Sequence, residues 1–119
     1  MILDKCRDIA EFKELYNKRQ MPNSYEFFWL INNPNLYCFY DEKDNFLRGY
    51  ITLQEEDGEL TLSGASIRKN FKENIDAVKM VCKAVNKTIY AYTPLKHAGL
   101  VLKKAGFKRL YDNKYVYEV

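Results

Sequence analysis

A chain of 119 residues can bury one hydrophobic core and not two, so residues 1–119 are expected to form a single domain. With 47% hydrophobic and 29% charged residues, ten tyrosines and seven phenylalanines, the composition excludes a disordered or fibrous chain. No apolar run approaches the ~20 residues of a bilayer span, and Asp4, Lys5, Arg7 and Asp8 interrupt any signal-peptide core, so a cytoplasmic protein without a membrane partner is expected. The net charge of +3 is unevenly spread: residues 1–67 carry 7 basic and 12 acidic side chains (net −5), and residues 68–119 carry 12 and 4 (net +8). A basic half of this kind attracts a polyanion, either a nucleotide-bearing cofactor or a nucleic acid; lysines on exposed helix faces would produce the same count. Cys6, Cys38 and Cys82 lack the paired spacing of a metal or redox motif. They read as reduced thiols, Cys38 and Cys82 as small core residues, and no metal site is expected.

After a short strand expected at Met1 to Leu3, Asp8 precedes a helical pattern with Ile9, Phe12, Leu15 and Tyr16 on one face, and Glu11 stands three residues on, as in a capping box. Met21-Pro22-Asn23 breaks this helix. Asn23 or Ser24 caps a second, short one through Tyr25, Phe27, Phe28, Leu30 and Ile31, apolar nearly all round and so buried or laid over a groove. Asn32-Asn33-Pro34-Asn35 ends it. Strands are predicted over 36–40 and 46–54, joined by Asp41-Glu42-Lys43-Asp44-Asn45 in a hairpin. Alternation puts Leu47, Gly49, Ile51 and Leu53 on one face of the second strand and Arg48, Tyr50, Thr52 and Gln54 on the other. Glu55-Glu56-Asp57-Gly58 then turns the chain into a third strand over 60–67. Gly64 within it predicts a bulge, or the close approach of a ligand or another chain.

A basic turn, Arg68-Lys69-Asn70-Phe71-Lys72, follows, and from Glu73 the period becomes helical, with Ile75, Val78, Val81, Cys82 and Val85 in a stripe and Lys72, Lys79, Lys83 and Lys87 toward solvent. Strand, loop and helix N-terminus in this order offer free backbone N–H groups to phosphates, so residues 60–85 are where a site is expected. Residues 88–92 form a short strand that the crossover helix delivers parallel to the previous one. Pro94 opens another helix, with Leu95, Ala98, Val101, Leu102 and Ala105 inward and Gly106 as its stop. Two final strands, 107–111 and 115–119, flank Asp112-Asn113-Lys114 as a closing hairpin.

This order of elements resembles the GNAT (Gcn5-related N-acetyltransferase) fold over almost the whole chain. The segment FYDEKDNFLRGYITL, Phe39 to Leu53, is similar to the family's second and third strands, AGLVLKKAGF, Ala98 to Phe107, to its last helix and Gly-Phe ending, and Leu60 to Val85 to its acetyl-CoA site. The resemblance implies an α/β (α+β) fold: a mixed sheet with an antiparallel N-terminal meander and a parallel central pair, and about four helices. It also implies acetyl-CoA as cofactor. In the family an aliphatic strand end lends backbone groups to the pantetheine arm, and an Arg/Gln-x-x-Gly-x-Gly/Ala turn wraps the pyrophosphate at a helix N-terminus. By that resemblance Ser66, Ile67, Arg68, Lys69, Lys72, Ile75 and Ala77 are the cofactor-binding candidates. Ile67 lies on the strand end, Lys72 on the Arg/Gln position, Ile75 on the first Gly and Ala77 on the Gly/Ala position. Ile75 departs from the pattern, because a β-branched side chain resists positive φ and stands where phosphates approach. The family's Asn at the start of the last helix and its Tyr before Gly-Phe correspond to Leu95 and Leu102, neither of them polar.

The activity implied is acetyl transfer from acetyl-CoA to an amine-bearing small molecule or protein. An unprotonated amine attacks the thioester carbonyl, thiolate departs, and the oxyanion is held by backbone N–H groups near residues 64–66. Tyr92, His97 and Glu55 are the acid–base candidates, with Tyr90 and Glu56 beside them. The second reading is a non-catalytic module of the same fold that binds a protein or nucleic acid through the basic half and the aromatic second helix. Small GNAT-like proteins of short-tailed phages, internal virion proteins among them, are also similar over Leu62-Ser63-Gly64, Arg68 to Lys72 and Leu102 to Gly106. That resemblance implies a virion or host-interaction role and a location in host cytoplasm or virion.

Overall fold

The computed structural model describes residues 1–18, 26–67 and 70–119. The predicted break at Met21-Pro22-Asn23, the Asn23 or Ser24 cap and the start of the second helix at Tyr25 lie outside the described residues. The elements run β1 (Ile2–Asp4), α1 (Ile9–Lys18), α2 (Phe27–Ile31), β2 (Leu36–Tyr40), β3 (Leu47–Glu56), β4 (Glu59–Ile67), α3 (Phe71–Val85), β5 (Ile89–Tyr92), α4 (Lys96–Lys104), β6 (Lys108–Tyr111) and β7 (Lys114–Tyr117). The strands form one sheet in the order β1-β2-β3-β4-β5-β7-β6. The predicted fold class is the one observed: a mixed sheet, antiparallel except for β4 and β5, with four helices among the described residues.

Both faces of the sheet are covered, by different helices. Phe39, Ile51, Leu53, Ile89, Ala91 and Tyr115 pack under Ala77, Val78, Val81 and Cys82 of α3 and Val101 and Leu102 of α4. Opposite, Leu36, Cys38, Tyr40 and Tyr50 receive Phe12 of α1 and Leu30 of α2. Leu47 also joins this second cluster. The predicted alternation, which grouped Leu47 with Ile51 and Leu53, is therefore corrected. Phe39 pairs with Gly49 and Tyr40 with Leu47, so Arg48 is an extra residue, and the bulge reverses the faces on either side of it.

The helix ends follow local chemistry. Asp8 caps α1 by accepting from the N–H groups of Ala10 (2.9 Å) and Glu11 (3.3 Å). Glu11 does not return the bond as a capping box would; its carboxylate accepts from the Leu47 N–H at 3.0 Å and ties α1 to the bulged end of β3. Ile9, predicted to face inward, is 57% exposed. It precedes the turn over which α1 meets the sheet. In α2, Leu30 is buried but Phe28 is 72% exposed, so this helix is not buried all round. At α3, Asn70 accepts from the Glu73 N–H at 3.0 Å, so the helix begins at Phe71, earlier than the predicted Glu73. Leu95, expected to face inward, is the residue before α4 and is 63% exposed. The C-terminus of α4 closes on Gly106 (φ +109), with Gly106 N–H to Lys103 carbonyl at 3.1 Å and Phe107 N–H to Leu102 carbonyl at 2.9 Å, the pair of bonds that a left-handed glycine stop allows.

Gly99 has a steric reason within α4. A Cβ there would collide with the Tyr115 hydroxyl oxygen and lie 3.1 Å from its Cζ. Gly99→Ala is expected to lower stability by about 1–2 kcal/mol in urea denaturation, overpacking outweighing the ~1 kcal/mol gain in helix propensity. Part of this loss should return in the Tyr115→Phe background, where the clashing oxygen is gone.

Candidate functional site

The strands β4 and β5 part company almost at once. Among the described residues they share one register position, Thr61 opposite Tyr90, while β4 continues to Ile67 along β3 alone. Directly beyond the shared position β4 is bulged: Thr52 faces Gly64 and Leu53 faces Leu62, which makes Ser63 the extra residue. The bulge expected at Gly64 is thus centred one residue earlier. Its geometry is set by hydroxyls. Thr52 Oγ1 lies 3.1 Å from Ser63 Oγ, Ser63 Oγ donates to the Thr52 carbonyl at 3.3 Å, and Thr52 is fully buried. The result is an opening between two parallel strands, with the β4 edge beyond Thr61 unpaired toward β5. Such an edge can accept and donate to an extended ligand laid alongside it.

Of the cofactor candidates, two lie on this edge of β4 and three lie within α3. Ser66 and Ile67 end β4, opposite Tyr50 and Gly49. Arg68 and Lys69 lie outside the described residues. Lys72, Ile75 and Ala77 are all inside α3. Lys72 is exposed, Ile75 packs against the core, and Ala77 is fully buried among core side chains. No wrapping turn exists at 75–77, because capping by Asn70 has already begun the helix there. The first turn of α3 also holds its own anion: Glu73 Oε1 receives Arg48 Nη2 at 2.9 Å, and Arg48 in turn binds Asp41. A carboxylate at a helix N-terminus takes up the favourable field that a phosphate would use. Among the described residues Glu73 Oε2 and Asn74 Oδ1 are buried acceptors without a hydrogen-bond partner, groups that would take a donor and repel an anion. The β4 edge offers what an extended pantetheine arm would need, while residues 75–77, already helical, would not wrap a pyrophosphate.

The acid–base candidates are likewise dispersed. His97 is exposed on α4 and stacks on Phe71 of α3, ring centroids 5.5 Å apart, bridging the two helix starts. Glu55 is exposed at the end of β3, lining a groove with Asn32, Asn33 and Asn35. Tyr92 stands at the end of β5, where its hydroxyl donates to Glu59 Oε1 at 3.4 Å. Glu59 also binds Lys114 Nζ through both oxygens, at 3.0 and 3.2 Å. The Tyr92 hydroxyl and the Glu59 carboxylate together raise the Lys114 ammonium above its ordinary pKa of 10.5. The stabilisation of this pair is complete below that ordinary value and is lost as pH rises through the raised one. Leu60, Ile89 and Tyr115 face α3 and α4, so Glu59, Tyr90, Tyr92 and Lys114 share the other face, beside the part that α1 and α2 cover. Glu59 and Lys114 were not singled out from sequence. The alternation of Tyr90 and Tyr92 was visible, but their neighbours follow only from the pairings of β5 with β4 and β7.

Among the described residues, no cluster of three or more His, Cys, Asp or Glu side chains could hold a metal ion, and no helix is long and apolar enough to cross a membrane. Cys38 and Cys82 are buried, as expected of small core residues, and burial pushes both thiols up to about 12.

No family model matches the chain, and no curated protein is similar to it by sequence. Solved structures are similar along nearly its whole length. An N-acetyltransferase from Staphylococcus aureus Mu50 superposes with a TM-score of 0.74 at 10% identity, covering 99% of this chain and 98% of that one. The aminoglycoside 6'-N-acetyltransferase from Enterococcus faecium gives 0.68 at 16% identity, over 98% and 94%. A Bacillus subtilis acetyltransferase in complex with CoA gives 0.64 at 12% identity, over 99% and 97%. At these identities the likeness establishes the fold, which is that of the GNAT acetyltransferases.

Proposed function

We propose that this protein transfers an acetyl group from acetyl-CoA to an amine, with the opening between β4 and β5 as the transfer site. The observation that carries this reading is the parting of the two strands at the Ser63 bulge, which frees the β4 edge for an extended pantetheine arm. A GNAT-fold protein crystallised with CoA adds to it. In this reading backbone groups of residues 62–67 bind and orient the arm, and Lys72, exposed at the start of α3, offers positive charge to its phosphates. Tyr92, two residues beyond the position at which β5 pairs with β4, is the nearest in register of the three acid–base candidates to hand a proton to a departing group, its hydroxyl turning from Glu59 to do so.

Calorimetric titration with CoA and acetyl-CoA tests the reading. Micromolar binding is expected, raising folding stability by about 2–4 kcal/mol at large excess, with Lys72→Ala weakening the affinity. No heat and no thermal shift would sink it.

A second reading is favoured by one observation, the Glu73–Arg48–Asp41 arrangement that already supplies an anion to the first turn of α3. In that reading the protein is a binding module that has lost the cofactor and meets a protein or polyanion through the lysines of its C-terminal half. Salt-sensitive retention on heparin without any CoA response is the result it predicts. A virion or host-interaction role belongs to this second reading and rests on the short matches at Leu62 to Gly64, Arg68 to Lys72 and Leu102 to Gly106.

A further inference from the structure

Lys114 sits in an unusual place for a lysine. Its Nζ lies 4.8 Å from the ring centroid of Tyr90, 5.4 Å from Tyr92 and 5.8 Å from Tyr111, and both oxygens of Glu59 hold it by hydrogen bonds. The Lys114 side chain is only 12% exposed. Three aromatic faces within about 6 Å of one cation, together with a carboxylate, are the chemistry by which proteins recognise organic ammonium ions. The surroundings are open, since Tyr92 is 53% and Tyr111 60% exposed. They also border the candidate transfer site: Tyr92 is two residues beyond Tyr90, the position on β5 that pairs with β4, and Ser63, the bulged residue, is two beyond its partner Thr61. Lys114 is the first residue of β7, paired with Tyr92 of β5 and Tyr111 of β6, and carries its ammonium on a flexible four-carbon stem.

We propose that Lys114 is a resident ammonium occupying a cation-recognition site built by Glu59, Tyr90, Tyr92 and Tyr111, and that a primary-ammonium ligand enters this site by displacing it. Calling that ligand the acetyl acceptor rests on the acetyl-transfer reading, in which Glu59 would take the ammonium proton before the freed amine attacks; the recognition site does not. Lys114 then acts as an internal competitor. Only ligands that bring both a positive charge for the rings and N–H donors for Glu59 replace what Lys114 provides, which selects cationic amines over neutral alcohols or amides of the same shape. Glu59 is the determinant of charge and the tyrosines are the determinants of shape.

The test uses propylammonium chloride as probe, with propan-1-ol as its neutral counterpart, at constant ionic strength and without CoA. Binding is followed by the NMR signals of the tyrosine rings in the wild type, Lys114→Ala and the double variant Lys114→Ala/Glu59→Gln. Saturable binding is expected in Lys114→Ala, at least about tenfold tighter than in the wild type, lost in the double variant and absent with propanol. A folded Lys114→Ala that ignores propylammonium, or that binds propanol equally well, overturns the proposal. Should the alanine variant not fold, Lys114→Thr keeps the strand propensity of this position and replaces it. Failure of both to fold also overturns the proposal, because a displaceable lysine must be dispensable to the fold. With CoA absent throughout, a negative acetyl-CoA titration and a negative amine titration are separate results.

Discussion

Replacing Phe12 by alanine is expected to cost about 3–5 kcal/mol, read as a lower urea midpoint at unchanged slope. Phe12 is fully buried, and its ring lies 5.2 Å from that of Tyr50, edge-on, and 5.8 Å from that of Phe27. Among the described residues it is the one fully buried side chain of α1, with Leu15 and Tyr16 packed only partly buried beside it. Phe12→Leu should retain most of the stability, since the cavity left is smaller. A loss below about 1 kcal/mol for the alanine variant would mean that α1 does not seat on the sheet through this residue. The consequence for function is indirect. Among the described residues the α1–α2 layer packs on the β2–β3 half of its face and not on Glu59, Tyr90, Tyr92 and Lys114, so its docking delimits the candidate site.

Arg48→Ala should lower stability by about 2–3 kcal/mol, less than the cost of breaking a fully buried pair because some solvent reaches all three groups. The bulge in β3 turns Arg48 toward α3, where it joins the Asp41 turn to the first turn of the helix through Glu73. Removing it leaves Glu73 half-buried with neither oxygen paired among the described residues, where Oε2 already lacks a partner. Hydrogen exchange in residues 71–74 should accelerate relative to the rest of α3. The acid limb also changes. Asp41 is held below the ordinary carboxyl value of 3.8, first by the Lys43 N–H, then by the Asp44 N–H and Arg48. A depressed carboxylate contributes stability above its ordinary value and loses it as pH falls through the lowered one. Arg48→Ala should flatten that acid dependence only in part, because the Lys43 and Asp44 N–H groups remain. An alanine variant as stable as the wild type, with unchanged exchange in the first turn, would contradict this account. In the same variant the α3 N-terminus loses its internal ion pair. If the proposed phosphate contact at Lys72 operates, CoA affinity should move measurably.

Much of the fold was legible in the residues because the decisive signals are local. Asp57-Gly58, with positive φ at both, makes the tight turn between β3 and β4, Gly106 stops α4, and the stripe Val78, Val81, Cys82 of α3 is buried as its period implies. Where the reading failed, a non-local partner had intervened. Glu11 looked like half of a capping box and instead holds Leu47 of β3. Leu47 looked like a neighbour of Ile51 until the extra residue Arg48 reversed its face. The α3 boundary moved because Asn70, inside a stretch that reads as a basic turn, is a good N-cap.

The bulge in β4 was expected at Gly64 and is centred at Ser63. A glycine in a strand marks a bulge, while its register depends on which hydroxyls meet across the sheet, here Thr52 and Ser63. The cofactor loop, by contrast, is a matter of tertiary arrangement. By itself the sequence determined the order and type of the elements, the burial of Cys38 and Cys82, and the mixed sheet, all consequences of periodicity, turn chemistry and right-handed crossover. Only the tertiary structure decided that Glu73 would bring an anion to the start of α3 and that Lys114 would be placed among Tyr90, Tyr92, Tyr111 and Glu59. Lys114 and those neighbours come from four strands, β4, β5, β6 and β7, and no short-range pattern encodes which strands a sheet sets side by side.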